Sequence, residues 1–214
     1  MTVMETRTGT RALMAGALML GWVGLLWVLE GIDLATGHGL ESHGISPREP
    51  GELLDIVPAA FLHSGWPHVA SNSVPLLVLG FIAALGGLRR FAGVVLTVIV
   101  VGGLGVWLIA PENTNTLGAS GVVFGLFGYL LVRGFVDRRP LDVVVGLIIA
   151  VVYGSLLQGV LPTDPGVSWQ GHLFGLIGGA VAAFVLRRGG SRPLRPSGPA
   201  PADPAGHTRT GRFR

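Results

Sequence analysis

The chain has 214 residues, 50% hydrophobic and only 13% charged, with a mean hydropathy of +0.62, whereas an ordinary soluble domain carries about 25% charged residues. Its 15 basic residues, all arginine, outnumber 12 acidic ones, and it has no cysteine. This excludes a soluble enzyme, a disordered chain, a disulfide-stapled domain and thiolate chemistry. The arginines flank apolar stretches rather than clustering, so they do not mark a nucleic-acid binder.

Six windows hold no Asp, Glu, Lys or Arg: 12–29, 56–88, 91–111, 113–132, 143–163 and 165–186. Each is close to or above the ~20 residues a helix needs to cross a bilayer. The expectation is an all-α, polytopic membrane protein with an N-terminal segment 1–11, a six-span domain 12–187 and a basic, disordered tail 188–214. Window 12–29 leads into Glu30 and Asp33 without a small-residue cleavage pattern, and so reads as a retained span rather than a signal peptide. Residues 35–67 carry Glu41, Glu49, Glu52 and Asp55 together with the apolar run Leu53 to Leu62. Such a loop is expected to lie embedded against the bundle, where non-helical backbone is sheltered by protein. Pro111 to Leu117 and Pro162 to Ser168 read as short links.

Arginines fall on alternate connections. With a cytoplasmic N-terminus, every arginine except Arg48 lies inside, as the positive-inside rule requires. Both termini are then cytoplasmic, and the expected location is a bacterial plasma membrane.

Polar residues inside spans are costly and so point to function. His68 and Asn72 open the second span, Ser120 the fourth and His172 the sixth, which places all four at one depth below the outer surface. His68 and Asn72, four apart, share a helix face. Each residue alone reads as a helix-start polar group, and Ser120 among glycines as a packing residue. Gly121, Gly125 and Gly128 on the fourth span and Gly171, Gly175 and Gly179 on the sixth form small-residue faces that allow close approach. Ser120 and His172 stand beside the first glycine of each row, so packing is expected to pair hydroxyl with imidazole. A histidine that takes the serine proton makes a nucleophile, and His68, Asn72 and the Ser120 backbone N–H are candidate oxyanion donors. The reaction class is hydrolysis of a carbonyl compound. No cofactor and no metal is expected: there is no HExxH, no cysteine, and no acidic residue in this layer to complete a zinc site.

Phe61-Leu62-His63, His68-Val69-Ala70-Ser71-Asn72, Gly118-Ala119-Ser120-Gly121 and Gly171-His172-Leu173-Phe174-Gly175 with Gly179, in this order, resemble the motifs of the rhomboid family of intramembrane serine proteases over residues 12–187. The resemblance implies a dyad of Ser120 and His172, an oxyanion site involving His68 and Asn72, and a structural role for His63. It also implies cleavage of transmembrane substrates near the outer surface. The chain departs from the family where Leu53-Leu54-Asp55 replaces a Trp-Arg pair, where Phe124 replaces the tyrosine that stacks on the histidine, and where Ala84 replaces a glutamate. The expected partners are single-span membrane proteins and the lipid bilayer. A non-catalytic rhomboid-like chaperone or client-helix binder, and a solute transporter, are the alternatives.

Overall fold

The computed structural model describes residues 2–188; the tail expected to be disordered lies outside the described residues apart from Arg188. Six α-helices follow one another: α1 Thr2–Ala35, α2 Trp66–Ala84, α3 Leu88–Ile109, α4 Ser120–Val136, α5 Pro140–Tyr153 and α6 Trp169–Val185. Among the described residues there is no strand, only an isolated bridge between Ile45 and Thr116. Their ends follow from local chemistry. Gly65 and Gly87, at φ 115° and 116°, reverse the chain ahead of α2 and α3, and Pro140 opens α5 where its missing N–H costs nothing. Ser168 caps α6 by accepting the Gly171 N–H at 3.2 Å.

α1, α2, α3 and the stretch from Pro140 to Val160 are long and apolar enough to cross a membrane. α4 and α6 have 17 residues each, or about 25 Å, less than the ~30 Å of a hydrocarbon core. They are the centre of the bundle. In α4 every residue from Val122 to Leu130 is buried, the mark of a helix enclosed all round. In α1, by contrast, a stripe of Ala15, Met19, Leu26, Glu30 and Asp33 is buried while Leu13, Leu20, Val28 and Leu34 are exposed. α5 buries only Gly146 and Ile149. Large apolar side chains on the outside of a folded chain are what a lipid-facing surface requires. The molecule is a multi-pass membrane protein.

The sequence windows differ from the helices in two places. The fifth span is α-helical only to Tyr153 and tightens to a 3-10 helix over Gly154–Val160. The fourth window begins at 113, yet α4 begins at Ser120, because residues 116–119 are drawn out of helical register. Thr116 pairs with Ile45, the Gly118 N–H donates to the Ala59 carbonyl at 2.8 Å, and the Ala119 N–H to His63. The segment 36–65 packs as three 3-10 turns against α3, with Ile45, Ala59, Val106 and Ala110 forming a small second core. Leu54 on its outer side is 81% exposed.

The arginine-rich end is latched by charge. Asp137 accepts from Arg90 at 2.7 Å and from the Arg188 backbone N–H at 2.8 Å, joining α3, α4 and α6, and Arg133 pairs with Asp142 at 2.9 Å across α4 and α5.

α4 and α6 meet backbone to backbone. A Cβ on Gly175 would run into the Gly121 carbonyl, and one on Gly179 into the Gly125 carbonyl. Backbone cannot yield as a flexible side chain does, so Gly179→Leu is expected to destabilise by at least about 2–3 kcal/mol. Gly24→Ala, with nothing within 4 Å, is expected to stay within about 0.5 kcal/mol of the parent. Thermal unfolding in detergent measures both.

Candidate active site

At the end of the bundle opposite the arginine latch is a cavity of about 740 Å³. Its wall includes His68 and Asn72 from α2, Ser120 and Phe124 from α4, Gly159 from the 3-10 segment and His172 from α6. Exposed Ser64, Asn115 and Val167 lie at its rim. The four polar residues that the sequence placed at one depth thus share one space.

His172 is buried, and its ring lies flat on Phe124, with centroids 4.0 Å apart and planes 6° apart. Its Nδ1 is 2.9 Å from the Gly159 carbonyl oxygen. A carbonyl only accepts, so Nδ1 carries the hydrogen and Nε2 of the neutral ring keeps a lone pair. Gly159 itself is pressed into the pair, since a Cβ there would lie 2.9 Å from both His172 Nδ1 and Phe124 Cζ. Sequence reading missed Gly159; its signal was a glycine late in an apolar window, which carries no mark of contact with another helix.

Ser120 is the first residue of α4, beside the Gly121–Gly171 contact, where a Cβ on Gly121 would sit 3.5 Å from the Gly171 carbonyl. No hydrogen bond joins Ser120 Oγ to His172 among the described residues; catalytic hydrogen bonds often tighten only when substrate binds. With the Gly118 and Ala119 N–H groups already committed, the Ser120 N–H is the first amide of this turn left for a ligand.

His68 faces the serine from α2. Its Nδ1 accepts from the Ser64 N–H at 3.5 Å and lies 3.2 Å from Ser64 Oγ, which leaves Nε2 as the N–H donor. The point where a Gly118 Cβ would stand is 2.8 Å from His68 Nε2 and 3.7 Å from Ser120 Oγ. Only glycine fits there, both for that space and for the φ of 130°. Asn72 donates from Nδ2 to the His68 carbonyl at 3.0 Å, and its second amide hydrogen is free for the cavity.

His63, 2% exposed, is not a wall residue. Its Nε2 accepts the Ala119 N–H at 3.3 Å, and its ring meets that of His68 edge-on at 4.9 Å. It holds the Gly118–Ser120 segment in place. Burial, helped by the nearby His68, pushes the His63 imidazole down to about 4, so it is neutral and able to accept.

A family model for the rhomboid domain matches residues 50–189, which take in all of these groups. The uncharacterized protein Rv1337 of Mycobacterium tuberculosis is 40% identical over 85% of this chain and 79% of its own length. The putative rhomboid protease YdcA of Bacillus subtilis is 28% identical over 72% of this chain and 74% of its own length, and the rhomboid protease GluP of the same organism 30% identical over 64% and 26%. The chain belongs to the rhomboid family, which supports an intramembrane protease as its general kind; proteases of this family act on membrane proteins within the bilayer.

Because its folded value lies below the ordinary 6.5, His63 contributes stability that is complete above pH 6.5 and is lost as the pH falls from there toward about 4. In that interval the unfolded chain binds a proton that the folded chain refuses. The full swing is on the order of 3 kcal/mol. Glutamine keeps an acceptor without titrating, so His63→Gln is expected to flatten the decline between pH 6.5 and 4 by that order, read from chemical unfolding in detergent at several pH values.

Proposed function

We propose that this chain is an active serine endopeptidase that cleaves transmembrane segments of single-span membrane proteins, with Ser120 as nucleophile and His172 as base. The observation that carries the reading is the cavity in which a tautomer-fixed His172 and the serine at the start of α4 share a wall with two oriented donors, His68 and Asn72.

In this mechanism Nε2 of His172 takes the Ser120 proton as Oγ attacks the substrate carbonyl carbon. The carbonyl oxygen becomes an oxyanion, held by His68 Nε2–H, Asn72 Nδ2–H and the Ser120 backbone N–H. Collapse breaks the C–N bond, and the leaving amine takes the proton from His172, leaving an acyl ester on Ser120. A water entering from the open rim gives a proton to His172 and its oxygen to the acyl carbon. The serine then leaves with that proton, and the carboxylic product is released. Phe124 and the Gly159 carbonyl keep the imidazole in one plane and one tautomer throughout.

With the arginine latch at the cytoplasmic face, both termini lie inside, the cavity opens on the outer side of a bacterial plasma membrane, and cleavage falls near the outer surface. A substrate helix must expose a carbonyl there, which favours Gly, Pro or other weak helix formers at the site.

Fluorophosphonate labelling of the purified full chain in detergent tests the chemistry. Wild type is expected to label, and Ser120→Ala and His172→Ala to lose it. A folded wild-type sample that never labels would instead favour a client-helix binder. Against a model transmembrane substrate, Asn72→Ala is expected to lower turnover by roughly 10²–10³-fold, the usual cost of one oxyanion donor. Cleavage by Ser120→Ala at the wild-type rate would reject the reading.

A further inference from the structure

The arginine-rich end of the bundle, opposite the candidate active site, holds more cation than its latch neutralises. Arg90 and Arg133 each have a carboxylate, on Asp137 and Asp142. The Arg188 guanidinium has none. Its Nη2 donates to the Gly86 carbonyl at 2.9 Å, and only its backbone N–H reaches Asp137. No other acidic residue falls in residues 84–90, 133–142 or 186–188. Donors are left over as well: Arg90 Nε and Nη2 and Arg133 Nε are buried without a hydrogen-bond partner. Arg133, although 7% exposed, also has no partner on Nη1 among the described residues. A cation drawn partly out of water without a counter-charge is costly.

Two of these guanidiniums face one gap. The point where a Cβ on Gly86 would stand is 3.5 Å from Arg188 Nη2 and 3.8 Å from Arg133 Nη1, so a side chain there would come between them. Gly86 lies in the turn between α2 and α3 and is partly exposed, so the gap opens outward. Arg139 stands at its edge, two residues from the Asp137 that holds the Arg188 backbone, and is exposed with no ion pair among the described residues. Next to the gap are apolar side chains turned outward: Phe135 and Leu141 on one side, Phe184 and Val185 on the other, all more than 60% exposed.

We propose that this end binds the phosphate of an anionic phospholipid headgroup, held by Arg133 and Arg188 across the gap at Gly86 with Arg139 at its edge. Guanidinium forks match phosphate oxygens, and basic pockets between membrane helices take such headgroups. The outward apolar side chains give the acyl chains a surface to lie on, which a soluble anion would leave unused. A zwitterionic headgroup brings its own cation and so supplies no net counter-charge. Bound here, the lipid ties the α2–α3 turn to α4 and to the end of α6, adding the negative charge that Asp137 and Asp142 do not provide.

The test is native mass spectrometry of the purified full chain in neutral detergent, titrated with phosphatidylglycerol, phosphatidylcholine or inorganic phosphate, with melting temperature followed in parallel. Wild type is expected to retain one phosphatidylglycerol at concentrations where it retains neither of the others, and to melt higher with that lipid alone. Arg188→Gln and Arg139→Gln are each expected to weaken its binding about fivefold, and the double variant about thirtyfold, the equivalent of about 1 kcal/mol per arginine. Arg48→Gln, at the opposite end, leaves binding unchanged. Arg139→Gln sits at an exposed position, so the measurement stands even if Arg188→Gln does not fold. Equal retention of phosphatidylglycerol and phosphatidylcholine overturns the proposal. So does a melting shift with inorganic phosphate as large as with the lipid, which would make this a site for a free anion. A double variant that is folded by its melting curve and binds as wild type does overturns it too, placing the lipid elsewhere on the surface. Labelling by fluorophosphonate is read separately, so failure here leaves the assignment of Ser120 untouched.

Discussion

The backbone contact between α4 and α6 is the constraint on which the rest of the molecule rests. Lipid tails are as apolar as leucine, so there is no hydrophobic gain in pairing two helices inside a bilayer; close van der Waals contact must supply it. Gly121 against Gly175 and Gly125 against Gly179 leave no room for a side chain. This draws the two helix axes together and makes α4 the enclosed centre. Ser120 and His172 stand at the open end of that seam. Their helices are short, at 17 residues each, and the cavity opens at that end of the seam.

Around that space the orienting groups are mainly backbone. The Gly159 carbonyl sets the tautomer of His172, with no aspartate or glutamate among the cavity groups that orient it, and the Ala59 carbonyl and His63 take up two amides of the segment ahead of α4. The segment 36–65 acts as a clamp on the start of α4. A neutral, buried His63 suits this duty, because an imidazolium would have no lone pair on Nε2 to offer Ala119.

Much of the fold was legible in the chain. Charge-free windows marked the spans, and the alternation of glycines at 121, 125 and 128 with those at 171, 175 and 179 indicated which helices press together. Helix ends were less legible. Residues 113–119 are as free of charge as those that follow, but strand-like pairing of Thr116 with Ile45 and the held conformation at Gly118 depend on a partner segment far earlier in the chain. The 3-10 tightening after Tyr153 was hidden for the same reason: an apolar window has the same composition in either helix. At the site, the four polar residues were readable because burying them is costly. Ser64, Gly159 and Asn115 were not, since their contribution is a contact with something distant rather than an unusual residue type.

The sequence by itself determined that the chain lives in a bilayer, where its apolar helices fall, which connections carry the arginines and which polar side chains stand out within apolar windows. These follow from transfer free energies and helix length, which are properties of residues and short windows. Only the tertiary structure decided which ring nitrogen of His68 and His172 carries its hydrogen, which amide remains free at Ser120, and that Asp33 and Glu41 meet at one nitrogen of His38. Those depend on distances of about 3 Å between groups far apart in the chain or brought together by a tight turn, and hydrogen bonding changes too steeply with distance for residue order alone to specify it.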